Sequence, residues 1–450
     1  MRILKWIKGS VAAVVGLAVL TIVGWNVVDR APSVAEAAAE AEPFDRSRLL
    51  VLVDADMAAT GYADGQLHPI DGATDVLVTI DGLGTEAPQL TQVSASNTVM
   101  GWPGAMTADA AGRFAYVVES RKAAPAGVAQ MASVFAEMPD GTLLTPIDLT
   151  TRAVVSTTEV CTRLNSVDIA PDESWLLITC GDTVGEVAVV PLTNGQPGAP
   201  RIFDLDLPDM EARPGIDDGL TYAMIHPAGA AAGYIVSNVG VGLVRFELDD
   251  AGVPVSAVAE APLREGTWLT VGRWTTTGDH FLAADVAWGP APTDAVFNGN
   301  GQILSFALSP EDENRGVVSS AIVSKSPETF ELNRAGDRLV AVNMERTYLP
   351  GGMFSIVPAR GASSLSLVSV DAATGQLETL GDPAGFEGVL PEDAVFDADG
   401  DQIAVVIYQD HDAPRSDGWI ETFAVQDDEI LRTGQRLMLP RGAHDLFALD

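Results

Sequence analysis

The stretch FDADGDQIAVVIY, Phe396 to Tyr408, sets three aspartates, Asp397, Asp399 and Asp401, around Gly400. Oxygen-rich loops of this kind hold hard cations, so a calcium loop is the first reading to test. The spacing argues against it. An EF-hand loop needs glycine at its sixth position and a bidentate acid at its twelfth. Counted from Asp397, those places hold Gln402 and Tyr408. The same letters fit a hairpin better: a short apolar strand (394–396), an Asp/Gly turn, and the β-branched run 403–407. Such a turn recurs if the fold is built from repeats.

It does recur. TADAAGRFAYVVES (107–120), IAPDESWLLITCGD (169–182), IHPAGAAAGYIVSN (225–238), TTTGDHFLAADV (275–286) and LNRAGDRLVAVNM (332–344) follow the same plan. Anchored on the second strand, the units centre on Tyr116, Leu177, Tyr234, Leu282, Val340 and Ala404. Their gaps are 61, 57, 48, 58 and 64 residues. Between anchors lies a second hairpin, clearest in SLSLVSVDAATGQLETLG (364–381). Two hairpins per unit make four antiparallel strands, the blade of a β-propeller.

The ends carry the argument further. RSRLLVLVDAD (46–56) reads as a second strand with no first strand before it, and RGAHDLFALD (441–450) as a first strand with no second. Joined, they complete one unit, and Val51 becomes a seventh anchor. The expectation is an all-β, seven-bladed β-propeller of four-stranded antiparallel blades over residues 44–450, closed by both ends of the chain in one blade.

The pieces APDESWLLIT, NRAGDRLVAVNM and DADGDQIAVVIY resemble the Pro-Asp-Gly-x-x-Leu-x-Val repeat of YVTN-type propellers, a group that includes lactonase-like, phosphogluconolactonase-type members. The resemblance covers all seven units but rests on turn and strand residues, and the repeat proline stands clearly only at Pro171 and Pro227. It implies the propeller fold and, for activity, lactone or related ester hydrolysis. It supplies no catalytic motif to carry over.

Composition narrows the function classes. The formal charge is −36, with 22 Arg and only 4 Lys. Such a surface repels phosphate backbones and anionic headgroups, which excludes nucleic acid as a partner. Arg2, Lys5 and Lys8 precede an apolar run from Val11 to Val28. That pattern predicts a basic cytoplasmic segment (1–9) and a single transmembrane signal anchor (10–28), with a cleaved signal peptide as the alternative. An Ala/Glu-rich linker (29–43), part-helical, then spaces the propeller away from the membrane on its periplasmic or extracellular side. Cys161 and Cys180 flank one hairpin; in an oxidising compartment they form a disulfide, and otherwise remain two buried thiols.

A propeller binds ligands where loops converge at one end of its channel. Residues leading into the first strand of each repeat are therefore the candidates. Glu328 and Glu392 fall on adjacent inner strands, where neighbouring carboxylates raise one another's pKa. Asp393 and His444 join them as catalytic candidates, His444 as a base oriented by a carboxylate. Arg346, Arg163 and Arg441 could hold an anionic group, and Tyr222 and Trp268 complete the ligand-binding set. A divalent cation is one cofactor such carboxylates could take. Asp410, His411 and Asp412 read as a solvated loop, because adjacent residues on an extended segment point apart. Two long insertions, 206–219 and 345–364, read as lids or partner surfaces. No GxSxG elbow, HExxH helix, P-loop or haem motif is present. Two readings follow: a membrane-tethered propeller binding a small polar ligand at the channel mouth, with lactonase-like hydrolysis as its sharper form, or a non-catalytic envelope binding and assembly scaffold.

Overall fold

The opening turn explains the repeat in atomic terms. In the computed structural model Asp397 Oδ1 accepts from the backbone amides of Gly400 (2.8 Å), Asp401 (3.0 Å) and Gln402 (3.1 Å). Asp109 does the same for Arg113 and Phe114, and Asn333 for Asp337 and Arg338. In each turn the backbone amide of the first residue also reaches the carbonyl five residues on: Asp109 to Phe114, Ala170 to Trp175, Thr275 to His280, Asn333 to Arg338 and Asp397 to Gln402. The carboxylate is occupied by its own turn, so it serves a hairpin and no cation.

The structure describes residues 32–181, 185–206, 220–227, 232–237, 242–259, 267–289, 293–307, 316–351, 354, 356–411 and 413–449. The expected anchor (10–28) lies outside them, as do Asp412 and all but residue 206 of the insertion 206–219. Among the described residues no helix is long and apolar enough to cross a membrane.

Among the described residues the strands form seven antiparallel sheets of four or five strands each. Six run outward in chain order. The seventh is completed from both ends of the chain: Arg48–Val53 pairs with Ala443–Leu449, matching Leu49 with Ala448 and Val51 with Leu446. The innermost strands are Met106–Ala108, Leu164–Ile169, Leu220–Ile225, Leu269–Trp274, Pro327–Leu332, Val389–Phe396 and Ala443–Leu449. Each packs against the next, and Ala443–Leu449 returns to Met106–Ala108, so the series closes on itself.

Apolar side chains of facing sheets fill the spaces between blades, as with Val78, Ala404, Val406 and Leu446. Polar ties cross the same spaces. Asp168 Oδ2 accepts from Ile225 N (2.7 Å), Asp393 Oδ2 from Leu446 N (3.1 Å), and Thr270 Oγ1 donates to Glu328 O (2.7 Å). Gly442, at φ +106°, brings the closing strand so near that a Cβ would lie 1.7 Å from Asp54 O. Only glycine fits there. The Cys161–Cys180 disulfide joins the start of one inner strand to the end of its neighbour in the same blade, Cα–Cα 6.0 Å. Closing a loop of this length contributes about 3 kcal/mol by the chain-entropy argument.

The linker departs from the expected part-helix. Residues 34–39 run extended along the ring's flank: Ala35 N donates to Gly385 O, and Ala38 N to Arg432 O (both 2.9 Å). Gly385 and Arg432 belong to the outer strands of adjacent blades, so the segment straps two blades together.

Removing residues 441–450 deletes the inner strand of the closing blade and exposes Leu49 and Val51. The truncated chain should show no cooperative transition in calorimetry, whereas the intact chain shows one.

Candidate functional site

The seven inner strands carry charged side chains among their mostly buried residues. They carry six acids, Asp168, Glu328, Glu331, Glu392, Asp393 and Asp445, against Arg273 and His444 as their basic residues. Charge buried at such positions is costly unless it is paired or neutralised, so the partners of these side chains matter.

Four of these acids form two pairs. Glu392 hydrogen-bonds Glu328 from the neighbouring strand. Burial, and then the charge of Glu328, push Glu392 well above the carboxylate range. Burial raises Glu328 to about 8. Asp393 hydrogen-bonds Asp445, whose Oδ2 also accepts from Gly104 N at 3.3 Å. Burial and the neighbouring Asp445 push Asp393 well up, and burial raises Asp445 to about 6. In each pair the acid with the higher pKa ionises last, so it donates to its neighbour once that neighbour has lost its proton.

Arg273 offsets one of the pairs. It bonds Glu331 (Nε–Oε2 3.2 Å), hydrogen-bonds the Tyr222 hydroxyl, and lies 5.4 Å from that ring's centroid. Its charge opposes the upward shifts of Asp168, Asp393 and Asp445. Gly104 stands against this group: a Cβ there would meet the Tyr222 ring at 2.6 Å.

His444 lies elsewhere in the network than expected. Its Nε2 faces Asn97 Oδ1 at 2.7 Å, while Asn97 Nδ2 donates to Val53 O and Ala95 O. With its amide so committed, Asn97 offers an acceptor and Nε2 carries the proton. Asn97, rather than a carboxylate, orients this histidine. Burial lowers it to about 3, so it is neutral throughout the physiological range.

The three arginines of the expected ligand set are bound to the protein itself. Arg346 bonds Asn298 through both its side chain and carbonyl, and reaches Pro358 O. Arg163 donates to Gly181 O. Arg441 donates to the carbonyls of His68, Pro414 and Ala55. Each fastens a loop. His411 bonds Arg360 (3.3 Å).

Above the acids the mouth is roofed. Segments leaving the second strands and leading into the inner ones bury Met57, Val99, Met131, Met344, Tyr348 and Tyr408 together. Part of the insertion 345–364 packs into this layer. Trp102 reaches farthest. It leads into Met106–Ala108, yet its ring lies 6.3 Å from both Trp268 and Trp288. Two inner strands, Leu164–Ile169 and Leu220–Ile225, separate those blades, so Trp102 spans the mouth. Trp268 and Trp288 meet edge-on at 5.4 Å, and Tyr348 joins Trp288 at 5.3 Å.

A third acidic group, Asp54, Asp56 and Asp75, lies at the exit of Arg48–Val53, with carboxylate oxygens within 4.8 Å of one another. It is the one group of three or more metal-ligating side chains among the described residues. Asp54 accepts from Asp56 N and Val99 N, and Asp75 from Ala55 N. Burial raises Asp56 to about 9 and Asp75 to about 7. A cleft lined by Ala55, Thr74 and Arg441 opens beside it.

No protein-family profile matches the chain, and no curated protein does. Solved structures do. A 6-phosphogluconolactonase-like protein of Bacteroides uniformis superposes with TM-score 0.59 at 12% identity, over 90% of this chain and 100% of that one. The periplasmic gluconolactonase of Pseudomonas aeruginosa gives 0.56 at 13%, over 90% and 99%. A hypothetical selenium-binding protein of Sulfolobus tokodaii gives 0.57 at 12%, over 91% and 94%. At these identities the likeness is one of fold.

A buried acid with a raised pKa stays neutral in the fold while the unfolded chain ionises it. The contribution of Glu328 to stability is therefore full below its ordinary 4.5 and falls as pH rises towards about 8. Glu328→Gln should raise Tm at pH 8.5 by about 4 °C and leave it unchanged at pH 4. Thermal melts across that range read the difference directly.

Proposed function

We propose that the chain is an exported, membrane-tethered, seven-bladed propeller that binds a small polar ligand in its channel and hydrolyses a lactone or related ester. The observation that supports this reading is the pair of protonated-and-acceptor carboxyls, Glu392 with Glu328 and Asp393 with Asp445, on three consecutive inner strands. Its fold likeness to proteins described as gluconolactonases agrees with it.

Chemically, ring opening of a lactone needs water activated by a base, charge stabilisation at the carbonyl oxygen, and a proton for the departing alkoxide. Glu328, once ionised, accepts the proton of the attacking water. Glu392 holds a proton to return to the alkoxide. Arg273 and the Tyr222 hydroxyl offer donors for the developing oxyanion. Because Glu328 must be ionised, turnover should rise with pH through about 8.

Export is supported by the basic residues and apolar run of the first 28 residues and by a disulfide suited to an oxidising compartment. Deleting residues 1–31 should move the protein from the membrane fraction to the soluble fraction.

The apolar roof favours a second reading, an envelope binding or assembly module without turnover. A hydrolysis screen over sugar and acyl lactones, with and without divalent cations, separates them. On the first reading turnover is found, and Glu392→Gln lowers kcat at least about 100-fold. Absence of turnover on every lactone, or turnover that survives both Glu392→Gln and His444→Ala, rejects the catalytic reading.

A further inference from the structure

The linker ahead of the ring carries a pattern that neither reading of the channel uses. Residues 35–41, AEAAAEA, set alanines two apart three times over: Ala35 with Ala37, Ala37 with Ala39, and Ala39 with Ala41. Small residues at this spacing are what a signal peptidase accepts at its cleavage site. Exposed segments of small and polar residues are also where folded chains are nicked most readily. Glu36, Ala37, Ala38 and Glu40 are exposed. By residue type and position, then, the linker is a place to cut.

Its backbone, however, is already engaged. A protease reads its substrate as an added strand, through main-chain amides and carbonyls that must be free to pair. Here three amides and one carbonyl are taken. Ala35 N donates to Gly385 O at 2.9 Å, and Ala38 N and Ala39 N to Arg432 O at 2.9 and 3.3 Å. Arg432 Nη1 donates to Ala35 O at 3.2 Å, so this residue grips the strap through its carbonyl and its guanidinium together. The fully buried Glu421 holds that guanidinium in place, and Glu387 lies 3.5 Å from its Nη2. Downstream the chain is pinned again. Gln402 Nε2 donates to Pro43 O (3.0 Å) and Phe44 N to Leu83 O (2.9 Å). A Cβ on Gly84 would lie 2.6 Å from Glu42 O, so the linker runs flush against that turn. All three alanine pairs therefore lie between fixed points.

We propose that the strap is a guarded cleavage site for an endopeptidase of small-residue specificity, closed while residues 34–39 lie docked and opened when Arg432 lets them go. The cut adds water across one peptide bond, leaving a carboxylate on the upstream piece and a new amino terminus on the ring. The ring keeps all of its sheets, because Arg48–Val53 begins beyond the cut. Cleavage of the native protein then tracks the small population in which the strap has opened locally. Release of the propeller from a membrane presupposes the anchor proposed above; shielding of the linker does not.

The test is limited digestion of the purified full chain with pancreatic elastase, the cuts within residues 33–43 being followed by mass spectrometry. The unaltered chain should resist there. Gly385→Ala should be cut about tenfold faster or more, because its Cβ would meet Ser33 O at 2.4 Å and push the strap away. Arg432→Ala should do the same by taking the guanidinium from Ala35 O. Gly385→Ala leaves the Arg432–Glu421 pair intact, so it separates undocking of the strap from damage to the blade, and its Tm should stay within about 2 °C of the unaltered chain. Cutting at one common rate in all three proteins, fast or slow, overturns the inference. Faster cutting of Arg432→Ala alone also overturns it, since the blade and not the strap has then opened. Faster cutting of Gly385→Ala alone removes Arg432 from the latch. Membrane fractionation after deletion of residues 1–31 is a separate measurement, so loss of tethering and loss of shielding are told apart.

Discussion

The pairing of Arg48–Val53 with Ala443–Leu449 is the constraint on which the ring depends. Every other sheet is made of strands consecutive in the chain and can form locally. This one joins residues some four hundred positions apart, and the closing contact carries the loop-closure entropy of the entire propeller. Until it forms, the inner faces of Leu49, Val51 and Leu446 lie open, and two sheet edges remain unpaired. Gly442 shows how little room the closure leaves, since its backbone packs directly on Asp54.

Closure also fixes the electrostatics. Side chains that would be harmless on separate hairpins are forced together when inner strands converge. Asp393 and Asp445 meet because Val389–Phe396 and Ala443–Leu449 become neighbours; Glu328 meets Glu392 for the same reason one blade earlier. The two members of a pair are not ionised together, because two buried like charges cannot both be kept. Arg273 relieves the Asp393/Asp445 pair, offsetting the upward push of burial on both acids.

Much of the fold is legible in the sequence because its turns advertise themselves. An Asp or Asn set four and five residues before the amides it caps leaves a spacing that survives even where the proline is lost, as at Asn333 and Asp397. The incomplete first and last strands give the closure. Glu328, Glu392 and Asp393 are also legible, as acids leading into inner strands. Arg346, Arg163 and Arg441 mislead because charge alone does not tell a loop fastener from a ligand holder; the carbonyls they bind come from distant segments that no local pattern announces. Asn97, which orients His444, is similarly hidden. Arg273, Glu331 and Asp168 escape for a different reason. They sit within inner strands instead of at their ends, and the signal was there: a charge interrupting an apolar run, as in LTVGRW and LNSVDI.

The strap formed by residues 34–39 determines how the ring is held. The linker reaches the propeller at the outer strands of two blades and not at its axis. Pull on the upstream chain is therefore taken up sideways, as shear along paired backbone, and neither end of the channel is obstructed by the leash. The leash thus meets the wheel at its tread.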